Sequence, residues 1–136
     1  MTEPPSGYPP PVSAQLPDGE TLDLRAVAQE ICRRYRAEFP DEEERYGEAG
    51  FEWCVHDTQY LVAWSLQDAT IGGGHFEKNL LWLARLLAAR NYPLERIARD
   101  LEIAADVLED RYAGAGAACV ELRKGAATLR SSGATG

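Results

Sequence analysis

The sequence has few of the residues from which catalytic and metal sites are usually built. It contains two histidines, three cysteines and one methionine in 136 residues, and no two cysteines form a C-x-x-C pair. The serine-hydrolase elbow, the phosphate loop and the dinucleotide fingerprint are also missing. A nucleophilic cysteine needs a base within reach and a third group that orients the base, and no spacing in this chain fixes such a geometry. The sequence therefore predicts a protein that is not an enzyme and binds no cofactor.

Positive charge and long apolar runs are also scarce. Fourteen lysines and arginines stand against 22 aspartates and glutamates, which gives a formal net charge of −8. Nucleic-acid binding depends on clustered positive charge, so nucleic acid is not an expected partner. The apolar runs are far shorter than the ~20 residues of a membrane-spanning helix, and no charged-then-apolar signal segment opens the chain. We expect a cytoplasmic protein whose three cysteines are buried, reduced thiols.

Apolar spacing predicts an all-α fold, a compact bundle of four to five helices. The first helix runs from about Asp23, a plausible cap, to Phe39, where Pro40 stops it. Further along the chain, the glycines at 72–74 break a long helical pattern, and Asn91 and Pro93 separate the next two helices. These joints are short, so we expect neighbouring helices to pack antiparallel.

The ends of the chain are expected to lack structure. Residues 1–18 hold six of the eight prolines and are predicted to be a disordered, proline-rich arm. Its segment 8–12 would favour a polyproline helix, which leaves a docking motif as the alternative. Residues 19–130 form the single helical domain, and residues 131–136 are predicted to be a disordered tail.

An acidic stretch follows the first helix. Between Glu38 and Glu52 the chain carries seven carboxylates and a single cation, Arg45. A solvated short helix explains this composition, because negative charge is favourable at a helix N-terminus. The alternative is an acidic docking surface for a basic protein partner.

The strongest candidates for a ligand site are Cys54, Asp57, Tyr60 and Trp64, which share one predicted helix face. Asp57 should be costly to bury among aromatic residues unless it is hydrogen-bonded. It is therefore either a structural acid bonded to Tyr60, a tryptophan or an arginine, or the polar anchor of a small-molecule pocket.

A metal site is not predicted. The residues considered for one are Cys54, His56, Asp57, His75 and Glu77. Cys54 and His56 point roughly 160° apart on a helix of ~100° per residue, so they cannot easily share an ion. The Glu-x-x-His pairs of di-iron bundles are absent.

Residues 97–107 have the spacing of a helix-turn-helix, the third and weakest functional alternative. The turn position holds Glu102 rather than glycine, and the second helix would present Asp106, Glu109 and Asp110 to phosphates.

The helix that bears Trp82 carries more apolar surface than a core-facing stripe requires. Trp82 lies off the stripe formed by Phe76, Leu80, Leu83 and Leu87, and Arg85 and Ala89 border it. An aromatic surplus edged by arginine is typical of protein interfaces. Trp82, Arg85 and Ala89 are therefore the predicted interface of a homodimer, and the alternative is that Trp82 packs under the N-terminal arm.

The order of several motifs resembles a helical module of bacterial sensor proteins that sits upstream of cobalamin-binding and other signalling domains. The likeness covers roughly residues 24–110 and includes Cys54-x-x-Asp57-x-x-Tyr60 and Leu86-Leu87-Ala88-x-Arg90-x-x-Pro93. The resemblance implies a globin-like or bundle-like sensor or interaction module. Together these features predict a non-catalytic regulatory or protein-interaction module that binds itself and a further protein. A small-molecule or tetrapyrrole-binding sensor is the alternative.

Overall fold

The computed structural model of this chain describes residues 10–72 and 74–135, with side chains described up to residue 131. Within these ranges the chain forms five α-helices, one short 3-10 turn and one antiparallel hairpin of two strands. The α-helices are α1 Leu24–Glu38, α2 Asp41–Ile71, α3 His75–Ala89, α4 Leu94–Arg111 and α5 Gly116–Thr135. The 3-10 turn, Ala113–Ala115, joins α4 to α5. The prediction of an all-α bundle of four to five helices is confirmed.

The expected N-terminal arm is folded in part. Strand β1, Ser13–Gln15, pairs antiparallel with β2, Thr21–Asp23, immediately before α1. Leu16 and Leu22 of this hairpin are buried in the main core, which gives the segment the apolar contacts that offset the entropy of ordering it. The prediction of disorder up to residue 18 is therefore wrong for the hairpin, and residues 1–9 lie outside the described residues.

The predicted helix boundaries are confirmed at several joints. The Asp23 side chain accepts a hydrogen bond of 3.0 Å from the backbone N–H three residues on, as an N-cap residue does. Gly72 and Gly74 both have positive φ, 81° and 73°, at the break between α2 and α3. Asn91 has a φ of 65°, and Pro93 occupies the N-cap position of α4.

A kink divides α2 near its start. Gly47 has a φ of 61° and a ψ of −157°, so the helical turns before it are distinct from the long helix that follows. The acidic stretch therefore forms the predicted short helix, with Asp41, Glu42, Glu43 and Glu44 in its first turn. These carboxylates lie where the helix dipole favours negative charge.

The buried face of α2 differs from the predicted one. Trp53, Asp57, Tyr60 and Trp64 are only half-buried. The most buried residues of this helix include a group of polar ones, namely His56, Thr58, Gln59, Ser65 and Asp68. Hydrophobic spacing could not locate this face, because polar residues occupy much of it, and several of them find partners inside the protein. Gln59, for example, donates to the Pro11 carbonyl at 2.9 Å, and Asp68 accepts from the backbone N–H of Phe76 at 2.7 Å.

Helix α4 is continuous from Leu94 to Arg111, so the turn that a helix-turn-helix requires at Glu102 is not formed. Beyond it, α5 contributes Leu122 and Leu129 to the core and continues to Thr135, where the sequence predicted a disordered tail from residue 131. No helix of the described residues is long and apolar enough to cross a membrane.

Candidate functional site

The four predicted ligand residues have different neighbours in the structure. Tyr60 and Trp64 belong to a ladder of rings along α2, with Trp53 and His56 below them and ring centroids 5.2–5.6 Å apart. Cys54 instead faces α1, where its sulfur lies 2.7 Å from that of Cys32. An open surface hollow of about 500 Å³ lies between the hairpin and α1, lined by residues that include Arg25 and Gln29, and none of the four predicted residues lines it.

Asp57 is not the buried acid that the sequence predicted, because its side chain is 24% exposed. Its Oδ1 lies 3.0 Å from Nδ1 of His56. The other ring nitrogen, Nε2, is buried and has no partner among the described residues. The pair therefore resembles the base and orienting acid of a catalytic triad, but no nucleophile in the described part of the chain is hydrogen-bonded to it.

The least expected feature is a buried polar cluster in the core, formed by Cys32, Cys54, Thr58 and Asp100. Cys32 comes from α1, Asp100 from α4, and the other two from α2. Thr58 Oγ1 donates to Asp100 Oδ2 at 3.1 Å and lies 3.7 Å from Cys32 Sγ. The cluster thus ties three helices together through polar contacts rather than through apolar packing alone.

The electrostatics of this cluster are unfavourable for negative charge. Burial raises the pKa of the Asp100 carboxyl to about 7, against the opposing effect of its hydrogen bond from Thr58. The neighbouring Cys32 thiol and burial together raise the pKa of Cys54 well above its ordinary value. Asp100 Oδ1 has no hydrogen-bond partner in the described part of the chain, and Asp100 forms no ion pair there.

A second buried network lies nearby and is fully paired. Tyr35 and Tyr92 share a hydrogen bond between their hydroxyls, and the Tyr92 hydroxyl donates to Glu42 Oε1 at 3.0 Å. Arg96 donates to the other oxygen of Glu42 at 2.6 Å and to both oxygens of Asp41. Because hydrogen bonds to Asp41 and Glu42 favour the charged guanidinium, the pKa of Arg96 is raised. Here an arginine neutralises the buried acid Glu42. Asp100 has no such cation beside it among the described residues.

The predicted interface residues Trp82, Arg85 and Ala89 are all exposed on the outer face of α3. Lys78 precedes them at the same helical spacing and is exposed as well, so the four form one stripe. The Trp82 side chain is 54% exposed and does not pack under the described part of the N-terminal arm. We call this stripe the α3 face.

The cations of the α3 face stand apart from the rest of the molecule. Eleven of the fourteen lysines and arginines form ion pairs within the described residues. The three that form none there are Lys78, Arg85 and Arg90, and all lie on α3 or at its C-cap. Unpaired positive charge is therefore concentrated around Trp82, in a protein of net charge −8.

The acidic stretch, in contrast, is largely neutralised by the chain's own arginines. The carboxylates of this stretch that form ion pairs are Glu38, Asp41, Glu42, Glu43 and Glu52. Glu44 and Glu48 form none among the described residues and are exposed. The structure therefore leaves a much smaller acidic surface than the sequence suggested.

Comparison of the chain with protein-family models, with curated proteins and with solved structures gives no match. Two features of the structure itself bear on function, the α3 face and the buried polar cluster. The first presents an exposed indole among unpaired cations, which suits binding to another protein surface. The second presents two thiols and a carboxylate to one point, which suits a cation.

Proposed function

We propose that this chain is a cytoplasmic, non-catalytic regulatory module that acts through protein contacts and forms a homodimer through the α3 face. One observation carries the proposal: the cations that find no ion-pair partner within the described chain all lie on the helix that bears the exposed Trp82 or at the C-cap of that helix. Tryptophan and arginine are the residues most enriched among interface hot spots. When a second surface covers a half-exposed indole, it removes apolar area from water, which lowers the free energy of the complex.

A second copy of the chain is the partner that the surface chemistry favours. Ile71, which is exposed, comes just before α3 in the chain, and the exposed Tyr46 has its ring 5.9 Å from that of Tyr92, which comes just after α3. Apolar surface that a second copy could cover is therefore not confined to Trp82.

A twofold axis across α3 would exploit this arrangement. Two antiparallel α3 helices that cross at Trp82 would bring the two indoles into contact, so that each covers the exposed face of the other. A twofold interface repeats every such contact.

Size-exclusion chromatography with light scattering tests the proposal. Trp82→Glu would place two carboxylates in the centre of the interface, and we expect this variant to be a monomer with an unchanged helical circular dichroism spectrum. Val120→Glu is the matched control, because Val120 is 51% exposed on α5 and outside the α3 face. We expect this control to remain a dimer. A dimer in Trp82→Glu, or a monomer in both variants, would show that the α3 face is not the interface.

A further inference from the structure

The buried polar cluster brings three metal-binding side chains to one point. Cys32, Cys54 and Asp100 each offer one ligand atom, and these atoms all lie within 4.8 Å of one another. They come from α1, α2 and α4, which are far apart in the sequence, so no spacing motif announces the group. The sequence pattern associates Cys54 only with residues of its own helix and of α3, and nothing in it points to Cys32 or Asp100.

Asp100 shows that the cluster lacks a positive charge. It is only 7% exposed, and its Oδ1 is buried without a partner among the described residues. The other buried acids of the core are satisfied: Glu42 by Arg96 and Tyr92, and Asp68 by backbone N–H groups at the start of α3. An unpaired carboxylate in a protein interior is costly, and a cation is the usual compensation.

We propose that Cys32, Cys54 and Asp100 bind one divalent ion of borderline softness, with zinc the best match. Two thiolates select for zinc over magnesium or calcium, and a carboxylate oxygen is an accepted third ligand. Thr58 has a supporting role in this site. It holds Asp100 Oδ2 by a hydrogen bond and leaves Oδ1 free to coordinate, as outer-shell partners of metal ligands commonly do.

The geometry needs one adjustment. Tetrahedral zinc with bonds of about 2.3 Å to sulfur separates two sulfurs by roughly 3.8 Å. Cys32 Sγ and Cys54 Sγ are 2.7 Å apart, so the sulfurs must move apart by about 1 Å, which rotation about the two Cα–Cβ bonds can supply. A water molecule or an external ligand would complete the coordination.

Metal binding releases protons from the ligands and offsets their negative charge. As the ion enters, each S–H bond breaks and an S–metal bond forms, and the two thiol protons pass to solvent together with the proton of any Asp100 carboxyl that is still protonated. A divalent cation with two thiolates and one carboxylate leaves a single net negative charge at the site. The bound ion would clamp α1, α2 and α4 at the centre of the bundle.

Cobalt(II) is a suitable probe because it takes tetrahedral thiolate sites and absorbs visible light. We expect the full chain, purified with a chelator and a reductant and then freed of both, to bind one Co²⁺. The spectrum should show thiolate-to-cobalt charge-transfer bands and the d–d bands of tetrahedral geometry, and Zn²⁺ should abolish both. Zn²⁺ should also raise the melting temperature.

Three variants locate the ion. Cys32→Ser and Asp100→Asn should each weaken Co²⁺ binding at least tenfold and abolish the Zn²⁺-dependent rise in melting temperature. Cys119→Ser is the control, since Cys119 is a buried thiol that donates to the Ala105 carbonyl and does not belong to the cluster. This variant should bind like the unmodified chain. Circular dichroism of the metal-free variants shows whether each one folds.

Other outcomes would overturn the proposal. Absence of cobalt bands in the reduced chain would do so, as would equal loss of binding in Cys119→Ser. A thiol assay on the denatured, unreduced protein tests the remaining alternative, that the two cysteines of the cluster form a disulfide rather than a metal site. Three free thiols are expected, and a single one would indicate that Cys32 and Cys54 form a disulfide instead.

Discussion

Asp57 and Asp100 differ in how each balances its charge. Asp57 keeps contact with solvent and accepts a hydrogen bond from His56, so its carboxylate is satisfied. Asp100 is enclosed by the core and has only the Thr58 hydroxyl as a donor in the described residues. Its ionisation must therefore be linked to folding, because the unfolded chain exposes the same carboxyl to water.

In metal-free protein we expect the contribution of Asp100 to the free energy of unfolding to fall as the pH rises from about 4 to about 7. The folded-state pKa of Asp100 is raised to about 7, so in this range the folded state binds the proton and the unfolded state does not. The loss should reach the order of 2–4 kcal/mol. The thiol and the two tyrosines nearest this group have raised pKa values and stay neutral there.

Urea unfolding at several pH values measures this effect in the presence of a chelator. Asp100→Asn cannot ionise, so the difference in stability between it and the unmodified chain isolates the contribution of Asp100. We expect the variant to gain stability relative to the unmodified chain as the pH rises. A pH-independent difference would mean that Asp100 titrates alike in both states.

At the residue scale, the sequence predicted exposure better than burial. Trp82, Arg85 and Ala89 are exposed as expected from their positions off the apolar stripe of α3. Asp57 was expected to be buried because aromatic residues surround it along the helix, but those aromatic residues are themselves only half-buried. The cluster of Cys32, Cys54 and Asp100 depends on contacts between three helices, and local spacing carries no information on such contacts.

At the scale of single elements, the contact between α3 and α5 depends on a glycine. A Cβ atom at Gly125 would lie 2.8 Å from both the Leu80 and the Phe76 side chains. Both side chains are fully buried in the core, so they must shift within packed surroundings to admit it. The absence of a side chain at this position therefore allows the two helices to approach closely.

Gly125→Ala should destabilise the protein by about 1–2 kcal/mol. Overpacking a core typically costs 1–3 kcal/mol, and the gain in helix propensity offsets up to ~1 kcal/mol of that cost. Gly116→Ala is the matched control, because Gly116 begins α5 with helical angles and open space around it. We expect the control to be neutral or slightly stabilising in urea unfolding. Equal stability of the two variants would show that α5 can move away from α3 at no cost.

Element boundaries were predicted well wherever one residue determines the local backbone. Asp23, Asn91 and Pro93 each occupy the position that their chemistry favours, and the glycine break separates α2 from α3. The hairpin was missed because its stability comes from Leu16 and Leu22 reaching the core. Two strands of three residues are too short to give a recognisable alternation.

For the whole molecule, the distribution of charge is more informative than the net value of −8. Arginines from α1 and α4 pair with most of the acidic stretch, so the feature that looked most like a docking surface is mainly internal stabilisation. The unpaired cations are gathered on α3 instead. A sequence shows how many charges a chain has, but their pairing follows from the tertiary fold.

Sedimentation equilibrium of the unmodified chain at tens of micromolar tests the central claim, that this module works as a dimer through the α3 face. The account predicts a mass twice the 15.0 kDa of the chain at the higher concentrations, decreasing toward the monomer on dilution. A mass of 15.0 kDa at every concentration would contradict it, because the exposed Trp82 and its unpaired cations would then have no second copy to bind.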